Sequence, residues 1–491
     1  MHRDHILLGC VLPLCLALGT TRLDAQSGTV VRSAPARAHD ASVFEVYQGV
    51  YDYHDDGSIA IVAVDSMLYA VLDEAKYPLR PLGDDRFRNA GGDTIPFTRG
   101  SNGMITGFVE RGTSFARRTT RIDPELVAAV RARARPVGAD GRTVPYAYRV
   151  PVDLHDGIRV ASASSAGLDT ASIGRLVARI ADGTYPDVHS LLIHRNGALV
   201  TEEYFYDYDR ERPHQMRSAS KSVISALVGI AMDRGALRGD EELVTKRLPY
   251  DGYANPDPRK DSLTLRDLLT MRTGLACDDW NGNSPGNESK MYQSEDWVKF
   301  VLDLPMIAQP GSSASYCSGG VAVTGRVVER ATGSTLPAYA RRYLFGPLGI
   351  RPSDVRWNYT LSSTNATTFG QLYMRPRDML KLGLLFADHG QWNGRQVISR
   401  EWVEKSTAKW STVGDQDYGY FWWHQWVDAS TPAGSRRVNM VLASGNGGQK
   451  IYMVPSLDLV VVVTGGNYNT QSPSTAIMKE LLSALLRQRT Q

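Results

Sequence analysis

The sequence lacks the compositional features that mark several classes of protein. Only 4 of its 491 residues are cysteine, so it is not a small scaffold held by a disulfide framework. Neither sign of charge dominates, since 55 Lys and Arg residues against 52 Asp and Glu give a formal net charge of +3. This balance gives no electrostatic case for nucleic-acid binding. The hydrophobic fraction of 42 % is that of a globular protein and excludes a disordered chain.

Long apolar runs are also missing, apart from one near the start. Residues 6–18 are apolar except for Gly9 and Pro13, and this run is shorter than the about 20 residues that span a bilayer. Arg3 precedes it, and a short polar stretch ends at the small residue Ala25. This pattern is typical of a secretory signal, with a buried N-terminal helix as the alternative. We predict a signal peptide over residues 1–25, no membrane span, and a secreted or periplasmic protein.

The cysteines divide at that cleavage site. Cys10 and Cys15 would leave with the signal, whereas Cys277 and Cys317 would remain. In an oxidising compartment these two either form a disulfide or persist as buried free thiols. The sequence contains no CxxC, no HExxH and no cluster of histidines. We therefore predict no metal site and no cofactor.

Three regions follow the predicted signal. Residues 41–120 hold short apolar and β-branched runs separated by turn clusters, which predicts a small all-β accessory domain. Residues 121–165 are predicted to be a linker with one helix near Pro124. Residues 166–491 alternate helices with strands, including a hairpin at Asn196-Gly197, which predicts an α+β domain.

One tetrad carries the chemistry. Ser218-Ala219-Ser220-Lys221 is an S-x-x-K sequence followed by an apolar stretch, so it is expected at the start of a buried helix. Positions i and i+3 share a helix face, which lets the hydroxyl of Ser218 and the amine of Lys221 meet. An amine next to a hydroxyl can activate it as a nucleophile. A second copy, Ser406 to Lys409, lacks the apolar helix and is interpreted as surface sequence.

Three motifs in order resemble a known family. After the S-x-x-K tetrad come residues 263–275 (LTLRDLLTMRTGL), and then Pro310-Gly311 with Tyr316-Cys317-Ser318 leading into a helix. This string resembles the serine hydrolases related to class C β-lactamases, which include penicillin-binding proteins, esterases and 6-aminohexanoate-dimer hydrolases. The resemblance covers about residues 166–490. It implies a β-lactamase/transpeptidase-like fold, an antiparallel sheet flanked by helices together with a helical part.

The resemblance also implies roles for single residues. Tyr316 takes the place of the family's Tyr as general base or proton shuttle, although Ser318 replaces the usual Asn. Tyr253-Ala254-Asn255 is a literal Y-x-N but lies in the wrong order, so Tyr316 is preferred. Cys277 and Cys317, if bonded, would hold a loop beside Tyr316. The aromatic residues Trp280, Tyr292 and Trp297 either line the acyl pocket or belong to the core, with the core preferred.

The family's third element is a strand motif that contacts substrate. Its place here is Asn446-Gly447-Gly448, which makes these three residues the predicted substrate-binding turn. The backbone N–H groups of Ser218 and Gln449 are the predicted oxyanion hole. Asn446 replaces the cation that would bind a β-lactam carboxylate, which disfavours efficient β-lactam hydrolysis. Lys450 is expected on the opposite face of the strand.

These residues predict a secreted serine hydrolase that cleaves an ester or amide bond of a small or peptide-like molecule. Ser218 is the predicted nucleophile of an acyl-enzyme, with Lys221 and Tyr316 as the proton relay. A β-lactamase or D-amino-acid-specific cell-wall peptidase is the alternative within the same class. A non-catalytic penicillin-binding-like module is the alternative from another class.

Overall fold

The computed structural model describes residues 42–53, 57–64, 67–72, 75–135, 144–248, 252–358 and 372–488. The chain divides into two compact units, Met1–Ala132 and Arg133–Gln491. The division falls inside the segment predicted as a linker, residues 121–165. The predicted signal peptide, residues 1–25, lies outside the described residues.

The first unit is an eight-stranded antiparallel meander whose strands neighbour one another in chain order. Two short helices accompany it, α1 (Ser42–Glu45) and α2 (Pro124–Arg131). The strands are β1 (Gly49–Tyr53), β2 (Gly57–Val64), β3 (Met67–Leu72), β4 (Ala75–Gly83), β5 (Arg86–Arg88), β6 (Thr94–Arg99), β7 (Ile105–Glu110) and β8 (Thr113–Ala116). The all-β region predicted for residues 41–120 is thereby confirmed.

The meander closes into a barrel. Tyr51 in β1 pairs with Arg117, directly after β8, and the N–H of Arg118 donates to the carbonyl of Val50 at 2.7 Å. Side chains alternate across each strand, so Tyr51 and Tyr53 are buried inside while Asp52 is exposed. Helix α2 begins at the cap Asp123 and packs Val130 against β2, so it is part of this unit.

A second eight-stranded antiparallel sheet is the centre of the second unit, in the order β10-β9-β21-β20-β19-β18-β17-β16. The strands of this unit are β9 (Val188–Arg195), β10 (Ala198–Tyr204), β11 (His214–Gln215), β12 (Val355–Trp357), β13 (Leu372–Met374), β14 (Gln391–Trp392), β15 (Arg395–Gln396), β16 (Ser411–Val413), β17 (Gln416–Tyr418), β18 (Trp423–Thr431), β19 (Gly434–Gly445), β20 (Gln449–Val454) and β21 (Leu459–Gly465).

Helices cover both faces of this sheet. They are α3 (Thr170–Ala181), α4 (Ser220–Asp233), α5 (Leu265–Leu269), α6 (Glu288–Met291), α7 (Trp297–Asp303), α8 (Ser318–Thr332), α9 (Leu336–Ala340), α10 (Pro376–Ala387), α11 (Arg400–Thr407) and α12 (Ser474–Gln488). Along β20, Ile451 and Met453 join the core that contains α4, α8 and α10. Tyr452 and Val454 join the other core, with α3 and α12. This arrangement confirms the predicted α+β fold class.

The predicted hairpin before the S-x-x-K tetrad is present. β9 and β10 pair antiparallel with Arg195 opposite Ala198, so Asn196 and Gly197 form a two-residue turn. Both turn residues have positive φ, 49° and 74°, which is why Asn-Gly suits this position. In the described part of the chain, no helix is long and apolar enough to cross a membrane.

Candidate active site

The S-x-x-K tetrad spans a 3₁₀ turn and the first turn of α4. Ser218 lies in the turn Arg217–Ala219, and Lys221 is the second residue of the helix. The Nζ of Lys221 donates to the Oγ of Ser218 at 2.9 Å. Lys221 is only 2 % exposed, whereas Ser218 is half-buried. The amine is therefore held inside the protein while the hydroxyl stays within reach of a ligand.

Arg217 precedes the serine in an unusual conformation. Its φ is +50°, a left-handed backbone that costs a residue with a side chain about 1–3 kcal/mol. The guanidinium lies over the ring of Tyr468, 4.8 Å from its centroid. Strain of this kind persists where the surrounding structure holds the chain, and it is concentrated at functional sites. This strained residue lies directly before Ser218.

Tyr316 is the tyrosine that the fold brings to this pair. The Nζ of Lys221 is 5.0 Å from the centroid of the Tyr316 ring. The tyrosine ends the loop before α8, whose N-cap is Cys317. Tyr253 lies elsewhere, with its ring 4.9 Å from the Nζ of Lys260. The order of the motifs therefore selected the tyrosine that the structure places beside the tetrad.

A disulfide joins the loop that precedes Trp280 to the start of α8. Cys277 and Cys317 are bonded, with their Cα atoms 5.5 Å apart. Of the two alternatives open from the sequence, the structure therefore has the disulfide. Because Cys317 is the neighbour of Tyr316, the bond anchors the tyrosine to the loop at Cys277. Ser315 adds a side-chain hydrogen bond, 2.8 Å, to the carbonyl of Cys277.

Asp279 is a buried acid that the sequence did not single out. Its N–H donates to the carbonyl of Tyr316 at 2.8 Å, and its carboxylate accepts the N–H of Ser318 at 2.6 Å. The carboxylate also accepts the N–H of Glu288 at 3.0 Å. Burial, and then the charge of Glu288, raise the pKa of Asp279 to about 8, against the opposing effect of Lys221. Asp279 thus holds the chain on both sides of Cys317.

Aromatic rings form one wall of the site. Trp280 stacks on Tyr316 with centroids 5.3 Å apart, and Trp423 lies 5.6 Å from Tyr316. Trp280 is 42 % exposed, so it belongs to the open side of the site and not to the core that we expected. Tyr292 and Trp297 contact each other at 5.0 Å, and both belong to the apolar core or pack against it, in agreement with the preferred interpretation.

The predicted substrate-binding turn connects β19 to β20. Gly447 and Gly448 have φ of +88° and +99°, and a Cβ on either would lie within 2.6 Å of the side chains of Tyr468 and Ser472. Only glycine therefore suits these two positions. The Asn446 amide donates to the Asn469 Oδ1 at 2.6 Å, and its own oxygen accepts the N–H of Asn469 at 3.0 Å. Asn446 thus fastens the turn.

Gly445 brings this turn close to the segment of Ser218. A Cβ on Gly445 would lie 2.2 Å from the carbonyl oxygen of Met216 and 3.1 Å from the nitrogen of Ala219. The end of β19 therefore lies directly against the segment that carries Ser218. Gln449, the second predicted oxyanion donor, begins β20 opposite Gly445. Its side chain points inward and bonds both main-chain polar groups of Gly465.

Two lysines near the motifs lie away from the tetrad. Lys450 lies opposite Ser444 on the neighbouring strand and donates a hydrogen bond to its hydroxyl. Its side chain is on the same face of β20 as that of Tyr452. Burial lowers the pKa of Lys450 to about 8. In the second S-x-x-K, Lys409 forms an ion pair with Asp417 at 2.7 Å. Ser406 is fully buried there and is not surface sequence, because its helix α11 packs against α4.

Comparison with known proteins identifies the family of this chain. Residues 180–483 match the family model described as beta-lactamase. The 6-aminohexanoate-dimer hydrolase of Paenarthrobacter ureafaciens is 24 % identical over 298 residues, which cover 56 % of this chain and 71 % of that protein. Esterase EstB of Burkholderia gladioli is 29 % identical over 176 residues, which cover 33 % of this chain and 45 % of the esterase. The chain thus spans less than half of that esterase.

A solved structure supports the fold. A family VIII carboxylesterase superposes with a TM-score of 0.51 and 14 % identity, over 65 % of this chain and 97 % of that one. At this identity the likeness shows the fold alone. The family model covers more than half of the chain and includes all three motifs of the resemblance. This chain therefore belongs to the beta-lactamase family of serine hydrolases, as the motifs predicted.

Proposed function

We propose that this protein hydrolyses an ester or amide bond through an acyl-enzyme on Ser218. One observation carries the proposal: the Nζ of Lys221 lies 2.9 Å from the Oγ of Ser218 and against the ring of Tyr316. A hydroxyl becomes a useful nucleophile when a neighbouring group accepts its proton. We assign the acceptance and return of this proton to Lys221 and Tyr316.

The steps follow from that arrangement. The Oγ of Ser218 attacks the carbonyl carbon of the substrate, and its proton passes through Lys221 and Tyr316 to the leaving oxygen or nitrogen. The bond to the leaving group breaks, and the acyl group stays on Ser218 as an ester. Water then attacks that ester, gives its proton to the same relay, and releases the acid and the free serine. The N–H groups of Ser218 and Gln449 are the proposed donors to the oxyanion.

The lining of the site favours some acyl groups over others. Trp280 stacks on both Tyr316 and Trp423, and these rings offer aromatic faces near Ser218. Position 446 holds a neutral amide that is already bonded to Asn469, so it provides no positive charge for a substrate carboxylate. We therefore propose substrates with a neutral, flat or unbranched apolar acyl group. A 6-aminohexanoate dimer, named for the Paenarthrobacter relative, has an unbranched acyl chain but an ammonium at its far end, so only its methylene chain fits this description.

A p-nitrophenyl ester of a short acid tests the proposal. The Ser218→Ala variant is expected to lose at least about a hundredfold in kcat, because removing the nucleophile removes the acyl-enzyme route. The matched control is Ser406→Ala, which alters the other S-x-x-K and should leave kcat unchanged. Equal turnover by Ser218→Ala and wild type would contradict the proposal. No turnover by either, together with stable labelling of Ser218 by a β-lactam, would favour the cell-wall peptidase alternative.

We also propose that the protein is exported. The signal pattern over residues 1–25 and the disulfide Cys277–Cys317 support the same compartment, because disulfides persist where the environment is oxidising. N-terminal sequencing of the protein from its producing cells is expected to begin at Gln26. A mature protein that keeps Met1 and is retained in the cytosol would contradict export.

A further inference from the structure

Two buried histidines outside the proposed relay share a hydrogen bond. His189 is in β9 and His214 is in β11, and they are 4 % and 2 % exposed. The Nδ1 of His189 and the Nε2 of His214 are 2.8 Å apart. A polar contact at this depth helps to fix how its two strands lie, because breaking it leaves a buried nitrogen without a partner.

The surroundings of His214 determine which ring donates. Its Nδ1 is 3.3 Å from the carbonyl oxygen of Gln215, which can only accept, so Nδ1 carries the proton. Burial lowers the pKa of His214 to about 4, so the ring is neutral at pH 7. The Nε2 of His214 therefore accepts the hydrogen bond, and the Nδ1–H of His189 donates it.

Aromatic side chains pack on both imidazoles. Tyr208 stacks on His189 with ring centroids 3.9 Å apart, and its ring lies 5.1 Å from that of His214. Tyr206 meets His189 edge-on, with centroids 5.7 Å apart. Because a protein interior is closely packed, these rings leave the two imidazoles little room to turn away from each other.

A short stretch of chain connects His214 to the proposed nucleophile. β11 consists of His214 and Gln215 and pairs with β13, in a three-stranded sheet that is separate from the eight-stranded sheet of β9. Two residues after β11, the chain reaches Ser218. The hydrogen bond between the histidines therefore joins the small sheet, which leads into Ser218, to the large sheet.

His189 contacts the loop that holds the predicted substrate-binding turn. A Cβ on Gly466 would lie 2.9 Å from the Cε1 and Nε2 atoms of His189, so the imidazole lies directly against this glycine. The next residue, Asn467, donates its N–H to the carbonyl of Gly447 at 3.0 Å. Asn469 forms the two hydrogen bonds to the turn that are described above. The imidazole therefore packs against the loop that keeps the turn in place.

We infer that His189 and His214 are positioning residues that set the distance between the two halves of the oxyanion hole. This inference rests on the proposed function, in which the N–H groups of Ser218 and Gln449 are the donors. Ser218 follows the strand of His214, and Gln449 follows the turn held by the loop beside His189. Both donors have to reach the same oxygen, so displacing one of them by about 1 Å costs about a hundredfold in rate.

Steady-state kinetics of the full chain on a p-nitrophenyl ester test this inference. His189→Leu removes the hydrogen bond and is expected to lower kcat at least about tenfold while KM stays within about twofold, because acylation and deacylation both pass through an oxyanion and slow together. His189→Asn returns a donor near the position of Nδ1, so kcat should recover to within about threefold of the wild type. The matched control His194→Leu should keep kcat. His194 is also buried in β9, and its Nδ1 has no hydrogen-bond partner within the described residues.

Gly466→Ala covers the case in which His189→Leu does not fold, as judged by circular dichroism. Its Cβ pushes the loop away from the imidazole and leaves both histidines in place, so kcat should again fall at least about tenfold. Normal kcat in a folded His189→Leu, or in Gly466→Ala when His189→Leu does not fold, would overturn the inference.

Three further results would also overturn it: a loss confined to KM, an equal loss in His194→Leu, or no recovery in His189→Asn. If the wild type still turns over the ester and Ser218→Ala does not, the proposed function stands and only this inference fails. No turnover by the wild type would overturn this inference together with the proposed function.

Discussion

The Nζ of Lys221 lies between two groups, 2.9 Å from the hydroxyl oxygen of Ser218 and 5.0 Å from the centroid of the Tyr316 ring. The lysine and the serine come from one helix start, whereas the tyrosine comes from the loop before α8. The relationship therefore depends on the packing of α4 against α8. It also depends on the loop of Cys277 and Asp279, which holds the chain around Tyr316.

Replacing Tyr316 by Phe is expected to lower kcat on a p-nitrophenyl ester by about a hundredfold, because a proton shuttle contributes on that scale. The ring is kept, so its stacking on Trp280 and the thermal stability should be nearly unchanged. The same change at the other candidate, Tyr253→Phe, is the control and should retain activity. Full activity in Tyr316→Phe would remove the tyrosine from the relay.

Breaking the disulfide is expected to destabilise the second unit and to lower activity together. The bond closes a loop with a sequence separation of 40, for which chain entropy gives about 4 kcal/mol of stabilisation. Denaturant unfolding with and without reductant measures the change in the free energy of unfolding. The Cys277→Ala/Cys317→Ala variant should already be destabilised and should not respond to reductant. If reduced wild type kept full activity and stability, the bond would have no part in holding Tyr316.

Adding one methyl group at Gly445 tests how closely the proposed substrate-binding turn must approach Ser218. In Gly445→Ala the new Cβ would lie 2.2 Å from the carbonyl oxygen of Met216, so the strand end or the serine turn has to move. We expect a loss of about 1–3 kcal/mol in stability and a larger proportional loss in kcat. Gly239→Ala is the control, since a Cβ there meets no atom within 4 Å. Normal kcat in Gly445→Ala would contradict the close approach.

The raised pKa of Asp279 predicts how the free energy of unfolding depends on pH. Its pKa is raised to about 8 in the folded protein, from 3.8 for an ordinary aspartate. The folded state therefore binds the proton more tightly, so this contribution is complete below pH 4 and is lost as pH rises through 8. Unfolding of wild type and Asp279→Asn, measured from pH 4 to pH 9, should diverge: the wild type loses stability relative to the variant. Parallel curves would show that Asp279 does not titrate in this range.

Some of this architecture follows from local sequence signals. The Asn196-Gly197 turn specifies its hairpin because both residues accept positive φ. Ser218 and Lys221 are three positions apart, so the 3₁₀ turn and the first turn of α4 bring them together. Tyr316 could be chosen over Tyr253 by its order in the chain. Each of these inferences needs only neighbouring residues or the sequence order of motifs.

Other features depend on contacts between distant segments, and no local pattern of residues indicates them. Gly445 matters because it meets Met216 and Ala219, which lie far away in the chain. Asp279 could not be told from Asp278, since only the fold buries one of them. Ser406 was predicted to be exposed because the residues next to it are polar, and these give no indication that α11 packs on α4. The strained backbone of Arg217 is likewise set by tertiary structure.

The most direct test of the account is to find where the acyl group goes. The full chain is mixed with a p-nitrophenyl ester, quenched in acid within the first turnovers, and digested for peptide mass spectrometry. We predict that the mass of the acyl group appears on the peptide that contains Ser218, and that Ser218→Ala carries none. An acyl group on another residue would contradict the central claim. So would turnover without any labelling of Ser218 in the wild type, together with equal activity in Ser218→Ala.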